Sequence, residues 1–197
     1  FGIHMTAADS YATEGARGVD TIVKFVKQQQ NKDISLDEAQ RMYDVKADIF
    51  HHMPVAHIFP GVKELMTKIQ AAGMQICVVT GSGQRPLLQR LVDDFEGFVD
   101  AHHIVSAYDV DHGKPAPDPY LMGMKKTGCQ HPYEAIVVEN APLGVAAGVA
   151  AQCFTVAVNS GPLPDSALAE QGANIVLPDM LTLASNFEQL LEEAGKQ

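Results

Sequence analysis

Three apolar runs in this chain end on polar residues suited to holding phosphate or a hard cation. Met74 to Val79 leads into Thr80, Gly81, Ser82 and Gly83; Ile104 and Val105 lead on to Gly113, Lys114 and Pro115; Ala135 to Val138 leads into Glu139 and Asn140. Thr80, Gly81 and Ser82 offer hydroxyls and backbone N–H groups at a strand-to-helix turn. The helix expected to start near Gln84 points its positive end at that turn, which favours an anion. Taken alone, the same residues suit an ordinary helix cap. Lys114 is held between Gly113 and Pro115 in a non-helical loop, where the plain alternative is a solvated surface lysine. Glu139 and Asn140 are adjacent oxygen donors of the kind Mg²⁺ takes, or else Asn140 caps the helix at Leu143. Agreement among three separate strand ends favours the chemical reading, because ligands in open α/β sheets bind at the carboxyl edge.

The elements that must position these residues fall into two parts. Residues 1–58 read as helical: Val19, Ile22, Val23 and Val26 keep helical spacing, and Ser35 with Glu38 forms a capping box before a second helix carrying Ala39, Met42, Tyr43, Ile49 and Phe50. A glycine-interrupted loop, Thr13 to Gly18, lies between. Residues 59–197 alternate helix and strand, with strands expected to end near Thr80, near Ile104, at Val138, at Val158 and at Leu177, and a last helix from Leu183 to Ala194. That order implies an α/β fold: a Rossmann-like parallel sheet with helices on both faces, plus a small all-helical cap.

Asp and Glu outnumber Lys and Arg by 24 to 14, giving a formal charge of −10. A nucleic-acid binder usually shows the opposite excess, so no nucleic-acid partner is expected. No apolar run approaches the roughly 20 residues of a membrane span, and the first residues show no secretion address. Cys77 and Cys153 lie in apolar runs and Cys129 in a loop, which reads as reduced thiols in the cytoplasm. The pairs His51–His52 and His102–His103 are adjacent and cannot both face one metal from a helix. We read them as surface or cap residues.

Together, the Val-Thr-Gly-Ser-Gly-Gln run ending at Gln84, the Gly-Lys-Pro-x-Pro run around Lys114 and Glu139-Asn140 resemble the haloacid dehalogenase superfamily, within it the β-phosphoglucomutase-like phosphatases and phosphomutases. They occur in the family's order, at positions 80, 114 and 139. The resemblance covers nearly the whole chain. It implies that Thr80 grips the transferring phosphoryl group with Gly81 and Ser82 beside it, and that Lys114 neutralises the nucleophile and phosphoryl oxygens. Glu139 and Asn140 would supply Mg²⁺ contacts, with Gly144 and Gly148 in the helix after them. Glu14 and Arg17, in the cap loop, would contact substrate, with Arg17 available to a second phosphate or a leaving group.

Two departures stand out. The family's opening Asp-x-Asp-Gly, source of nucleophile and general acid/base, is missing; Asp109-Val110-Asp111-His112-Gly113 comes nearest but follows the wrong strand. Asn140 stands where the family often has Asp. The missing segment forms the central strand of the resembled sheet, and its loss would leave two buried strand edges unpaired. The chain is therefore expected to be part of a longer protein, lacking a strand, a loop and a cap helix, roughly 30 to 40 residues by element lengths.

The expected function is a Mg²⁺-dependent phosphohydrolase or phosphomutase. It would act as a monomer on a small phosphorylated metabolite, a sugar phosphate or pyrophosphate, through an aspartyl-phosphate intermediate. Phosphatase is favoured over mutase. The alternative is a catalytically dead binding protein of the same fold. A dinucleotide-dependent oxidoreductase fares poorly, since no G-x-G-x-x-G follows a first strand. Lys114→Ala is expected to lower turnover with little change in stability, on the reading that this lysine is exposed.

Overall fold

A computed structural model describes residues 1–54 and 56–195. Three helices open the chain. The first, α1 (Ala7–Ala12), starts at a reciprocal cap in which Thr6 and Asp9 each satisfy the other's backbone N–H. The second, α2 (Gly18–Gln30), ends where Asn31 turns left-handed, φ 50°. The third, α3 (Leu36–His51), starts where the Ser35 hydroxyl accepts the Glu38 N–H at 3.1 Å. Helices α2 and α3 bury Phe25, Val26, Ala39 and Tyr43, and the missing side chain of Gly18 makes room for the Tyr43 ring.

The remainder alternates as expected: α4 (Val62–Ala71), β1 (Val78–Val79), α5 (Arg85–Asp94), β2 (Ile104–Val105), α6 (Asp118–Thr127), β3 (Ile136–Glu139), α7 (Pro142–Ala150), β4 (Phe154–Val158), α8 (Asp165–Ala169), β5 (Ile175–Leu177), α9 (Met180–Ser185) and α10 (Phe187–Ala194). Helix α4 enters through Gly61 at φ 88°, where a Cβ would stand 2.7 Å from the Met180 carbonyl.

All strand pairs are parallel. Val78 pairs with Ile104 and Val79 with Val105; Ile136 to Glu139 pair with Phe154 to Ala157, and Val156 to Val158 with Ile175 to Leu177. Strand β4 is buried along its length. Its Phe154, Val156 and Val158 pack on Leu65, Leu183, Phe187 and Leu190 from α4, α9 and α10. Its Ala157 packs on Val145 and Leu168, from α7 and α8, on the other face. Residue alternation along the strand thus puts helices on both faces.

The sheet is divided. Among the described residues β1–β2 and β3–β4–β5 form separate sheets with no ladder between β1 and β3. Between them lies an apolar slot of about 470 Å³, with Val79 and Val137 on its strand walls, Met124 from α6, and Leu65, Ile69 and Leu183 from the helices α4 and α9. The slot explains why β1 is only two residues long although the apolar run starts at Met74: β1 is paired on one side alone. The expected last helix is two helices. They break at Asn186, whose amide donates back to the Thr182 carbonyl at 2.8 Å, a bond that competes with the helix ladder. Helix α8 had no apolar periodicity long enough to read.

Candidate active site

The three polar strand ends sit along one edge of the divided sheet. The centre is Lys114. Its ammonium donates to the carbonyl of Val79, the last residue of β1, at 3.0 Å and to Oε1 of Glu139, the last residue of β3. It therefore spans the carboxyl mouth of the slot. The expectation that this lysine is exposed is overturned: Lys114 is 6% exposed. Its ammonium also lies 4.9 Å from the centre of the Tyr120 ring. The loop that delivers it is clamped by Asp109, which accepts from the Ser106 N–H and hydroxyl at 2.8 and 2.7 Å and from Lys126 at 2.7 Å. A cis peptide joins Lys114 to Pro115.

Glu139 is fully engaged. Oε1 also accepts the Tyr120 hydroxyl at 2.5 Å, and Oε2 accepts the N–H groups of Asn140 and Ala141 at 3.1 and 3.4 Å. Those amides precede α7, whose positive end favours the carboxylate charge. Burial first, and then the Glu139 charge, push the Tyr120 phenol well above its usual range, so it stays protonated and donates. Gly144 is what admits the carboxylate, because a Cβ there would overlap it; Gly148 does the same for Thr155 and Val137.

Thr80 follows Val79, one peptide from the ammonium's carbonyl partner. Its hydroxyl oxygen accepts the Ser82 N–H at 3.1 Å, and the Ser82 hydroxyl accepts the Gln84 N–H at 3.2 Å. Both hydroxyl protons are left to point at an anion. Gly81 lies against the loop between α1 and α2, where a Cβ would stand 2.6 Å from the Ala16 carbonyl. The same loop brings Gly15 to the Lys114 stem and Arg17 to Gly113. The Arg17 guanidinium itself turns away to Asp20, with bonds of 2.7 and 3.0 Å. Glu14 is exposed and makes no side-chain hydrogen bond among the described residues.

So the structure joins Lys114 to Glu139, sets Thr80, Gly81 and Ser82 beside them, and holds the Arg17 charge apart. Tyr120 was missed by sequence reasoning. The available signal was a phenol in the first turn of the helix that directly follows the lysine loop.

Glu139 and Asn140 suit Mg²⁺ in donor type, an anionic and a neutral hard oxygen. Mg²⁺ wants about six oxygens, and no cluster of three or more His, Cys, Asp or Glu exists among the described residues. The pair fits only as part of a larger set in which the ion displaces one of the four donors now held by the Glu139 carboxylate. No helix among the described residues is long and apolar enough to cross a membrane.

Comparison with known proteins adds independent findings. The family model for haloacid dehalogenase-like hydrolases matches residues 1–158. Hexitol phosphatase A of Escherichia coli (strain K12) is 40% identical over 101 residues, 51% of this chain and 45% of that protein. Glycerol-1-phosphate phosphohydrolase 2 of Saccharomyces cerevisiae is 32% identical over 124 residues, 60% of this chain and 49% of that protein. A solved structure of a β-phosphoglucomutase-like protein from Bacteroides vulgatus superposes with a TM-score of 0.91 at 43% identity, over 100% of this chain and 79% of that one. The chain spans about half the length of the curated relatives it matches.

Proposed function

The chain belongs to the haloacid dehalogenase-like hydrolases, and from that premise we propose that residues 1–58 are the cap and 59–197 the core of a Mg²⁺-dependent phosphohydrolase. Its substrate is a small phosphorylated metabolite, and the reaction runs through an aspartyl-phosphate. The observation that carries this reading is the Lys114 ammonium bridging β1 and β3 across the mouth of an apolar, strand-shaped slot. A strand filling that slot ends under the ammonium. An Asp at its end is then held ionised and shielded from the incoming phosphate by the lysine charge. The partial coverage of the relatives leaves room for such a strand outside the chain.

In the first step the Asp carboxylate oxygen attacks phosphorus, the ester P–O bond breaks, and the leaving oxygen takes a proton from a second acid. Water then attacks the acyl phosphate, releasing inorganic phosphate and restoring the carboxylate. Thr80 and Ser82 donate to the phosphoryl oxygens, and Lys114 neutralises charge gathered there, a contribution of about 3 kcal/mol or a hundredfold in rate. Glu139 and Asn140 would hold Mg²⁺ with further oxygens, and the ion supplies additional charge neutralisation on the phosphoryl group. The Gly15–Ala16 segment over the strand ends excludes water as the cap closes. Phosphatase is favoured over mutase because the one cation in the cap loop, Arg17, is already paired with Asp20. The unpaired thiols of Cys77, Cys129 and Cys153 accord with a reducing cytoplasm.

The test is phosphate release from p-nitrophenyl phosphate by the protein with its slot strand present, with and without Mg²⁺. Label from a ³²P-phosphomonoester should enter the protein transiently. Absence of turnover with every phosphomonoester tried would sink the enzyme reading.

A further inference from the structure

The groups proposed to meet the phosphoryl oxygens come from different strands. Thr80 and Ser82 follow β1, and Lys114 comes from the loop after β2. Their relative position depends on what joins the two loops, and Asp109 stands at that junction. Its Oδ2 accepts the N–H and the hydroxyl of Ser106 at 2.8 and 2.7 Å, and its own N–H donates to the Ser106 carbonyl at 3.1 Å. The Ser106 hydroxyl oxygen in turn accepts the Tyr108 N–H at 3.3 Å. The chain leaving β2 is thereby closed into a turn over residues 106–109. Ser106 is buried, so its polar groups depend on that carboxylate. The Asp-x-Asp run beginning at Asp109 therefore has its first carboxylate committed to structure.

This turn holds the phosphate loop directly. The Ala107 N–H donates to the Ser82 carbonyl at 3.2 Å, and the Val105 carbonyl accepts the Thr80 N–H at 2.9 Å. A shift of residues 105–107 carries the Thr80 and Ser82 hydroxyls with it. The other oxygen of Asp109 faces α6. Its Oδ1 accepts from Lys126, in the last turn of that helix, at 2.7 Å, and the same ammonium donates to the Ile104 carbonyl at 2.5 Å. In the first turn of α6, Asp118 meets His112 at 2.9 Å and Tyr120 carries Glu139. Lys114 thus lies between two attachments to one helix, Asp109 before it and Asp118 after it.

Burial pushes the Asp109 carboxyl up, but the bonds from Lys126 and Ser106 outweigh it and hold the group below its usual range, so it is ionised at neutral pH. The Lys126 and Asp109 side chains are 24% and 27% exposed. A pair this close to solvent adds little to stability. What it supplies is geometry.

We propose that Asp109, braced by Lys126, is a positioning residue for phosphoryl transfer: it fixes the Thr80 and Ser82 hydroxyls and the Lys114 ammonium relative to each other, so that both meet one phosphoryl group. Asp109 itself touches no reacting atom. The proposal deepens the phosphohydrolase reading and rests on it for turnover, while the mechanical link between the two loops stands separately.

Both arms of the test use the full-length protein. In the first, amide hydrogen exchange is followed residue by residue in ¹⁵N-labelled parent, Lys126→Met and Lys126→Arg. In Lys126→Met the Thr80 and Ala107 amides should exchange about tenfold faster, and those of β4 should not change. In the second, kcat and KM are measured with p-nitrophenyl phosphate. A displacement of about 1 Å at a reacting centre costs on the order of a hundredfold. In Lys126→Met, kcat should therefore fall about tenfold to a hundredfold, with KM within about threefold of the parent. Arginine keeps the cation and donates to the same carboxylate, so Lys126→Arg should hold kcat within about threefold of the parent. Asp109→Asn breaks the same pair from the other side, and Lys126→Met/Asp109→Asn should be no slower than the slower single variant. If Asp109→Asn does not fold, Lys126→Met and its rescue by arginine decide alone. Unchanged exchange at Thr80 and Ala107, an unchanged kcat in Lys126→Met, no recovery in Lys126→Arg, or faster exchange spread through β4 would overturn the proposal. Should the parent turn over no phosphomonoester while Lys126→Met loosens Thr80 and Ala107 alone, the link stands and the phosphohydrolase reading falls.

Discussion

Lys114→Met offers a test that needs no knowledge of the substrate. The ammonium is buried and has two hydrogen-bond acceptors, the Val79 carbonyl and the Glu139 carboxylate. Methionine fills most of the same space but leaves Glu139 as a buried anion without its cation. Removing one partner of a buried pair costs about 3–5 kcal/mol. Here Tyr120 and the N–H groups of Asn140 and Ala141 still donate to Glu139, which points to the lower end, roughly 3 kcal/mol. For a domain of this size that corresponds to a fall in melting temperature of roughly 6–12 °C. Lys114→Met/Glu139→Gln removes the stranded charge and should recover more than half of the loss, because the amide keeps an acceptor for Tyr120. Urea and thermal unfolding of the three proteins, followed by far-UV circular dichroism, give the comparison. If the single variant melts within 2 °C of the parent, by the same scaling under about 1 kcal/mol, the ammonium does not hold the two sheet halves together and the bridging argument fails.

Three further outcomes can be checked. Tyr120→Phe should cost about 1.5–2 kcal/mol in urea unfolding, the value of one hydrogen bond to a charged group; a loss below about 0.5 kcal/mol would mean that the phenol does not position Glu139. Gly144→Ala should destabilise by about 1–3 kcal/mol because its methyl group overlaps the Glu139 carboxylate, although the same change in an unobstructed helix gains stability; a raised melting temperature would show that the helix and the carboxylate are not in contact. Burial pushes the Cys77 and Cys153 thiols up to about 11 from an ordinary 9.0. The unfolded chain then loses those protons first, so stability should fall as pH climbs from about 9 towards 11, and Cys77→Ala/Cys153→Ala should flatten that slope in unfolding curves.

Much of the core could be read from the chain because its strands are largely apolar and its turns are chemically distinctive. Phe154 to Val158 and Ile175 to Leu177 fall where the apolar runs place them; β4 is buried on both faces, which leaves little freedom in its pattern, and β5 is a half-buried edge strand made only of Ile, Val and Leu. Thr80, Lys114 and Glu139 stood out by type and position at strand ends. What the chain did not show is pairing at a distance. The burial of Lys114 depends on Tyr120 and Glu139, which lie 6 and 25 residues further on. Arg17 is a different case: its partner Asp20 is only three residues on, a local spacing that the reading of the loop as a substrate contact passed over. The break at Asn186 was masked by the strong apolar periodicity on either side.

The divided sheet also gives the molecule an energetic grain. Strand β4 is bonded on both sides and covered on both faces, whereas β1 and β3 each keep one edge without a strand partner among the described residues. Amide protons should therefore exchange in a graded order, slowest in β4 and fastest in β1 and β2, with the two halves opening as separate cooperative units. Across the slot they are joined by Lys114 and by packing through α4 and α6 rather than by a ladder. A single strand bonded to both free edges would merge the two units into one. Exchange protection in β1 would then rise towards that of β4, so the same event that completes the site would also make the whole core unfold as a single body.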